Sequence, residues 1–499
     1  MSFTDGLSPL GMSWAALVPA CPFLAAIILA MAPSWRVGAW INFGSCCLCL
    51  ALAALLPGQV GDASTEQPVA TWLLVDGLSA HMALLTAFVA MTTAWFSMSY
   101  IRGEVAARRL DRRRLRLYHA MYQVFLGGML LALLSNNLGV AWVGMETATI
   151  AAVLVVGLPR THSAIEASWK FFLICGVGIA LALFGTIMLY LAATPAVGVG
   201  LGAMSWTTIT AAASRCDSQV LNLAFVFLLL GYGTKAGLAP LHSWIPDAHA
   251  EGPTPVSAVL SGSILNVALV MILRLRSVMS ENPGAIDPGP PILALGLVSV
   301  LFAAFSLWHR RDVKRFFAFS SIEQSGLTAF AFGLGGSGAI FAGVLHMTLH
   351  TLTKAAIFQC VGRAAQLRGS QRFTDIGGLI TTNRLLGLTL AAGMVAVVGL
   401  PPFGLFAADF LIVTETVRHR LLLALPLSIG LVVGGWAMML RLQTLCLGPS
   451  NNVASIRAAP VSALHLAPVW LHLAIVLVLG LAMPTYVVDW LLTIARAMK

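Results

Sequence analysis

The sequence predicts an all-α, polytopic membrane protein with about fourteen transmembrane helices. Three observations carry that expectation. Of 499 residues, 59% are hydrophobic and only 10% are charged, whereas a soluble domain carries roughly a quarter charged residues. Apolar runs of about 20 residues, the length that spans ~30 Å of hydrocarbon, recur from end to end. The runs are continuous and rich in Ala, Leu and Gly. A β-barrel would instead alternate over ~10-residue strands, and helices are the other way to satisfy a backbone in lipid.

In chain order the spans are expected at 13–32, 38–57, 77–100, 117–134, 137–157, 166–192, 220–241, 255–277, 291–308, 313–334, 338–362, 385–415, 421–444 and 465–490. The first run lacks a basic leader and a cleavage site, so it reads as a span and not as a signal peptide. The basic run with Arg108, Arg109, Arg112, Arg113, Arg114 and Arg116 sits between two spans. It fits a cytoplasmic loop and not a nucleic-acid surface. With residues 102–116 placed in the cytoplasm, nineteen Lys and Arg fall on that side and seven on the other, Arg215, Arg274, Arg276, Arg418, Arg420, Arg496 and Lys499. The three lysines left over lie inside spans. This bias places both termini in the periplasm of a bacterial inner membrane. Loop 193–218 is the longest outside the spans, and no soluble domain is expected. The eight cysteines are scattered through apolar runs without metal-ligand spacing, and read as small buried hydrophobes.

Two spans are interrupted. Gly231, Gly233, Gly237, Pro240, Pro246, Pro253 and Pro255 crowd the first break, and Gly399-Leu-Pro-Pro-Phe-Gly404 forms the second. Proline removes a backbone donor and clashes with the preceding turn. Such breaks survive in a membrane where protein or a wet cavity satisfies the freed groups, and they mark ion pathways in transporters. One break per block divides the chain into N-terminal helices (1–116), a first five-helix repeat (117–277), a second (291–415) and C-terminal helices (421–499).

Charges deep in a bilayer cost at least ~2.5–3.5 kcal/mol each on insertion scales, so those within spans carry the functional information: Glu146, Lys170, Lys235, Lys354 and Asp409. The chain has 24 Arg and five Lys, and three of the five lysines lie within spans, where no Arg is expected. Arginine stays protonated, whereas a buried lysine can load and release a proton. A proton relay therefore suits these lysines, with a helix-pinning salt bridge as the plain alternative. Glu146 needs a cationic partner, either Lys235 or Lys170. His346, His350 and Lys354 recur at i, i+4 and i+8 and stack on one helix face over ~12 Å. Neutral imidazole both donates and accepts, so this ladder suits proton relay; polar packing and metal binding remain the alternatives. Asp409 follows the second break and suits an exit gate. His242, Asp247, His249 and Glu251 either line an access route or form a solvated loop. Asp312, Lys314 and Arg315 read as an interfacial cap, and Glu323 as a weaker relay candidate.

The segment Gly231-Tyr-Gly-Thr-Lys235-Ala-Gly-Leu-Ala-Pro-Leu-His242-Ser-Trp-Ile-Pro-Asp247-Ala-His249-Ala-Glu-Gly-Pro-Thr-Pro-Val-Ser257 resembles the signature of the proton-translocating antiporter-like subunits. That family covers respiratory complex I, multisubunit Na+/H+ antiporters and membrane-bound hydrogenases. Val75-Asp-Gly-Leu-Ser79, Glu146, Trp169-Lys170, Arg311 to Ser321, the His346/His350/Lys354 ladder and Gly399-Leu-Pro-Pro-Phe403 with Asp409 extend the resemblance over residues 70–445. Within the family, Ser135-Asn-Asn137, Glu166-Ala-Ser-Trp-Lys170 and Pro246-Asp-Ala-His249 are most similar to the hydrogenase-4 component F group. The resemblance implies inverted repeats and an axis in which Glu146 and Lys235 pair, Lys170 stands nearby, His346, His350 and Lys354 continue the path, and Asp409 ends it. Asn266 departs from the family pattern, which has Lys or His in the span after the first break.

The implied function is proton translocation within a redox-driven respiratory or hydrogenase-type complex. No cofactor or metal is expected in this chain, which acts as a non-catalytic channel element. Fe–S clusters, with Ni–Fe or quinone sites, belong to partner subunits. The implied partners are other membrane subunits, a peripheral redox arm and the lipid bilayer. Na+/H+ antiport, membership of an inorganic-carbon uptake complex and a passive scaffold are the competing readings.

Overall fold

The computed structural model describes residues 14–60, 72–449 and 461–498. Residue 13 of the first expected span, and Arg457 and Lys499 of the charge count, lie outside them. The described chain is helical throughout, with no β-strand beyond three isolated bridges.

The helices run in order as α1 (Leu17–Ala30), α2 (Trp35–Ala53), α3 (Gly77–Ala106), α4 (Arg112–Leu134), α5 (Leu138–Val156), α6 (His162–Val197), α7 (Trp206–Ala212), α8 (Ser218–Ala236), α9 (Trp244–Glu251), α10 (Thr254–Val259) and α11 (Leu265–Ser280). A π turn, Leu260–Ile264, joins α10 to α11 as one span. Then come α12 (Gly289–Leu307), α13 (Val313–Leu334), α14 (Gly336–Arg368), α15 (Phe373–Ile376), α16 (Leu379–Thr382), α17 (Arg384–Val397), α18 (Gly404–His419), α19 (Leu421–Leu442), α20 (Ala463–Leu481) and α21 (Thr485–Ala497). Side-chain oxygens of Asp76, Asn137, Thr161, Asp217 and Asp312 cap helix starts, each satisfying a backbone N–H that the helix itself leaves free.

Among the described residues, eleven helices are long and apolar enough to cross a membrane, or twelve if the bent α15–α17 stretch counts as one span. The expected fourteen is not reached, although each expected span coincides with a helix. Trp14–Ala30 is short. Helix α13 carries Glu323, Gln324 and three serines in its middle. The expected span 385–415 splits into α17 and α18 of 14 and 16 residues.

The α10–α11 span and α14 form the centre and are buried along almost their whole lengths. Outer helices such as α6 and α12 instead present Val177, Leu173, Val298 and Phe305 outward, as a lipid-facing surface requires. Both expected breaks are present, and each begins at a glycine with positive φ, Gly237 (74°) and Gly399 (72°), a conformation glycine adopts without steric cost. The backbone groups freed at the first break find protein partners. Ala239 N donates to Ser299 Oγ, and Trp244 Nε1 donates to Thr234 O. Lys314 Nζ donates to Gly252 O, and Gln371 Nε2 to Ala250 O. Irregular backbone is thus shielded from lipid, as the low-dielectric interior demands.

Candidate functional site

The first cluster forms where α8 ends. Lys235 is the penultimate residue of α8, two residues before the break, and its side chain is 1% exposed. Glu146 and Thr149 lie three residues apart on α5, so both face α8. Lys235 Nζ donates to Thr149 Oγ1 at 2.6 Å and pairs with Glu146 Oε2 at 3.7 Å. Of the two partners open to Glu146, the structure selects Lys235. Glu146 is 20% exposed, so the pair sits with its lysine sealed and its acid at the edge.

The second cluster is built on α14. His346, His350 and Lys354 lie on one buried face, as their spacing predicts. The two imidazole rings are nearly parallel, 12° apart in plane with centroids at 5.9 Å. His346 Nδ1 bonds Asp409 Oδ1 at 2.9 Å. Any side chain at Gly399 would strike the Asp409 carboxylate, so the second break and the acid are packed together. Lys354 Nζ donates to Phe317 O at 2.6 Å and lies 5.5 and 5.6 Å from the Phe317 and Phe358 ring centroids. No carboxylate of the described residues reaches ion-pair distance of it. Glu323, on α13, is buried. It shares with Asp409, Ser320 and Gln324 a cavity of about 10 Å3, roughly the space of one water probe. Gly434 on α19 leaves the room that the Glu323 carboxylate occupies.

Asn266 is tied to the second cluster's helix. Its Nδ2 donates to Thr351 Oγ1 at 2.6 Å and to Met347 O at 3.3 Å, joining α11 to α14 just beyond the π turn. His249 is fully buried, stacks on Phe358 at 4.8 Å and has both ring nitrogens unpartnered among the described residues. Phe358 is thus shared by His249 and Lys354. His242 is also buried, against Phe302 at 4.6 Å. The group expected near the first break therefore divides: both histidines turn inward, whereas Asp247 pairs outward with Arg315 at 2.7 Å and Lys170 at 3.2 Å.

Two expectations need correction. Lys170 is not buried; its side chain is 47% exposed and bridges Glu166 (2.6 Å) and Asp247 on the outer face of α6. The face of α6 that packs on α8 is set by small residues, and Lys170 lies off it. An arginine also lies within a span: Arg274 of α11 is buried and holds Asp76 Oδ2 at 2.7 Å. The Asp76 carboxylate, already the cap of α3, supplies the counter-charge that a buried guanidinium requires. The sequence reading also missed Thr149 and Thr351. Their i+3 spacing from Glu146 and from Lys354 was the available signal.

Buried lysine, imidazole and carboxylate groups of this kind can hold and hand on protons. Among the described residues, no three or more His, Cys, Asp or Glu side chains gather as a metal site.

The segment 135–434 matches the family described as NADH:quinone oxidoreductase/Mrp antiporter, TM. A hydrogenase-4 component F homolog of Methylacidiphilum infernorum is 45% identical over 478 residues, covering 95% of this chain and 98% of its own. In fold, the chain is similar to a chain of the membrane-bound sulfane sulfur reductase, an archaeal respiratory membrane complex, at a TM-score of 0.85 and 22% identity over 97% of this chain and 98% of that one. It is similar to a chain of the Mrp complex from Dietzia sp. DQ12-45-1b at 0.81 and 19%, over 98% and 97%. With a family match over most of its length and a relative nearly half identical from end to end, this chain belongs to the NADH:quinone oxidoreductase/Mrp antiporter transmembrane family.

Proposed function

We infer that this chain conducts protons as a membrane subunit of a redox-driven respiratory or hydrogenase-type complex. The route runs along Glu146, Lys235, Asn266, Lys354, His350, His346 and Asp409, with Glu323 beside its end. Lys170, Asp247, His242 and His249 stand at the access side. The observation that carries this reading is the burial of two lysines and two histidines inside the chain, with Lys235 on Thr149 and Glu146, Lys354 on a backbone carbonyl, and His346 bonded to Asp409 and stacked on His350. A passive scaffold has no use for such groups, which are costly in a membrane.

The redox cofactors, Fe–S clusters with Ni–Fe or quinone sites, belong in this reading to partner subunits and a peripheral arm. The arginine-rich side faces the cytoplasm of a bacterial inner membrane, and both termini face the periplasm. The two repeats each place a broken helix fourth: α4, α5, α6, α8–α9 and α10–α11, then α12, α13, α14, α17–α18 and α19. The second repeat in this division extends through α19, past residue 415.

The test is proton uptake by inverted vesicles containing the assembled complex. Lys235→Ala and Lys354→Ala should each abolish uptake while the complex stays intact. Undiminished uptake in intact complexes of both variants rejects the relay. Uptake that requires Na+ would favour antiport.

A further inference from the structure

Away from the buried row, a cleft of about 550 Å3 opens at the arginine-rich end of the bundle, between the end of α1, the start of α4 and the turn from α5 to α6. Its rim is cationic. Arg113, Arg114 and Arg116 come from the first turns of α4, and Arg160 from the α5–α6 turn. One acid, Asp111, lies among them. Its carboxylate is covered by Arg114, through the backbone N–H at 2.8 Å and the guanidinium at 3.7 Å, which leaves three arginines in excess.

Those three are arranged to receive an anion. Arg116 Nε is anchored on Ala32 O at 2.7 Å, which orients the guanidinium and leaves its terminal N–H groups without a protein partner among the described residues. Arg113 and Arg160 have no side-chain partner among the described residues. Arg160 adopts φ 56°, a left-handed conformation that side chains other than glycine, asparagine and aspartate rarely take. The start of α4 adds the positive end of a helix dipole.

The lower wall of the cleft is apolar, formed by Ala30, Leu117, Ala120 and Met121. Below it the outer face of α1 continues with Leu24 and Ile27, each 62% exposed. Cationic rim above and lipid-facing hydrocarbon below is the chemistry of a phospholipid with an acidic headgroup: arginine forks bind phosphate oxygens in pairs, and acyl chains lie along the apolar wall. We propose that this cleft binds the phosphate headgroup of an acidic phospholipid, with Arg113, Arg116 and Arg160 as its ligands. Basic pockets between helices on the arginine-rich side of membrane proteins hold such headgroups. The site is independent of the proton route and stands whether or not that reading holds.

The test uses the complex purified in mild detergent and stripped of lipid. Cardiolipin, phosphatidylglycerol, phosphatidylethanolamine and inorganic phosphate are titrated separately, with bound lipid counted by native mass spectrometry. The acidic lipids should bind and phosphatidylethanolamine should not. The double variant Arg113→Ala/Arg160→Ala, both exposed positions, should bind at least about ten-fold more weakly, and a photoactivatable cardiolipin on the wild-type complex should label residues 111–121. Unchanged binding in the double variant, or labelling confined to other segments, overturns the proposal. Phosphate binding as tightly as the lipids would mean a free-anion site and also overturn it. So would a cross-link from Arg113→Cys to a neighbouring subunit in the native membrane, which would make the cleft a protein contact.

Discussion

The two buried lysines are held in opposite ways. Lys235 has a carboxylate at 3.7 Å and a hydroxyl at 2.6 Å. Lys354 has a backbone carbonyl and two aromatic rings and no carboxylate at ion-pair distance among the described residues; Asp409 bonds His346, and Glu323 shares a small cavity with Asp409. The first lysine is therefore held by one acid and one hydroxyl, both on α5. The second answers to a chain of groups spread over α13, α14, α18 and α19. Under the proposed relay, a compact site at one end and a dispersed one at the other should respond differently to substitution.

The largest contrast should come from Lys354→Met. Proton uptake should fall by about a hundred-fold or more, the scale of a lost positioned proton-transfer group. The melting temperature should hold or rise, because a buried cation without a counter-ion is costly to keep. A large loss of stability would show that Lys354 is a structural post. Next comes Glu146→Gln, which leaves Lys235 sealed without its acid. Removing one partner of a buried pair costs ~3–5 kcal/mol, and the partial exposure of Glu146 puts the expected loss at about 3 kcal/mol or below. Adding Lys235→Met should restore much of that stability without restoring transport; equal melting points for the single and double variants would break the pairing. A smaller effect is expected from Gly434→Val, which would intrude on the Glu323 carboxylate and lower uptake several-fold. Gly435→Val, whose added carbon meets only Val398, serves as its control. The smallest effect belongs to Lys170→Ala. An exposed ion pair contributes ~0–1 kcal/mol, so stability and uptake should stay within about two-fold of wild type in the same assays.

Much of this contrast was legible in the sequence, because buried charge in an apolar span is rare enough to read directly. Glu146, Lys235 and the His346/His350/Lys354 spacing needed only a helix to bring them into line. Both breaks were legible from their glycines and prolines. What could not be read was direction. In α6 every face is apolar, since lipid and protein interior make the same demand on a side chain, and only packing against α8 decides that Phe171 turns in while Lys170 turns out. The same ambiguity hid the burial of His249, which lies in a short helix among Pro and Gly that looks like a loop. Arg274 was overlooked because its counter-charge, Asp76, lies almost two hundred residues earlier, beyond the reach of any spacing rule. The span count fell short for a related reason: α13 gives up hydrophobicity to carry Glu323, Gln324 and its serines.

In the proposed relay, the bond between His346 and Asp409 also determines what each passage leaves behind. In the tautomer whose Nδ1–H donates to the carboxylate, the ring offers the Nε2 lone pair to an arriving proton. A proton taken up at Nε2 leaves a different one to depart through Nδ1 to Asp409, and the ring then holds its hydrogen on the wrong nitrogen for a second passage. Before the next event the imidazole must exchange tautomers or turn over, within a slot whose neighbour His350 lies almost parallel to it. In the proposed relay each passage through His346 therefore needs a reset, and the time the ring takes to recover sets an upper bound on how often a proton can cross it.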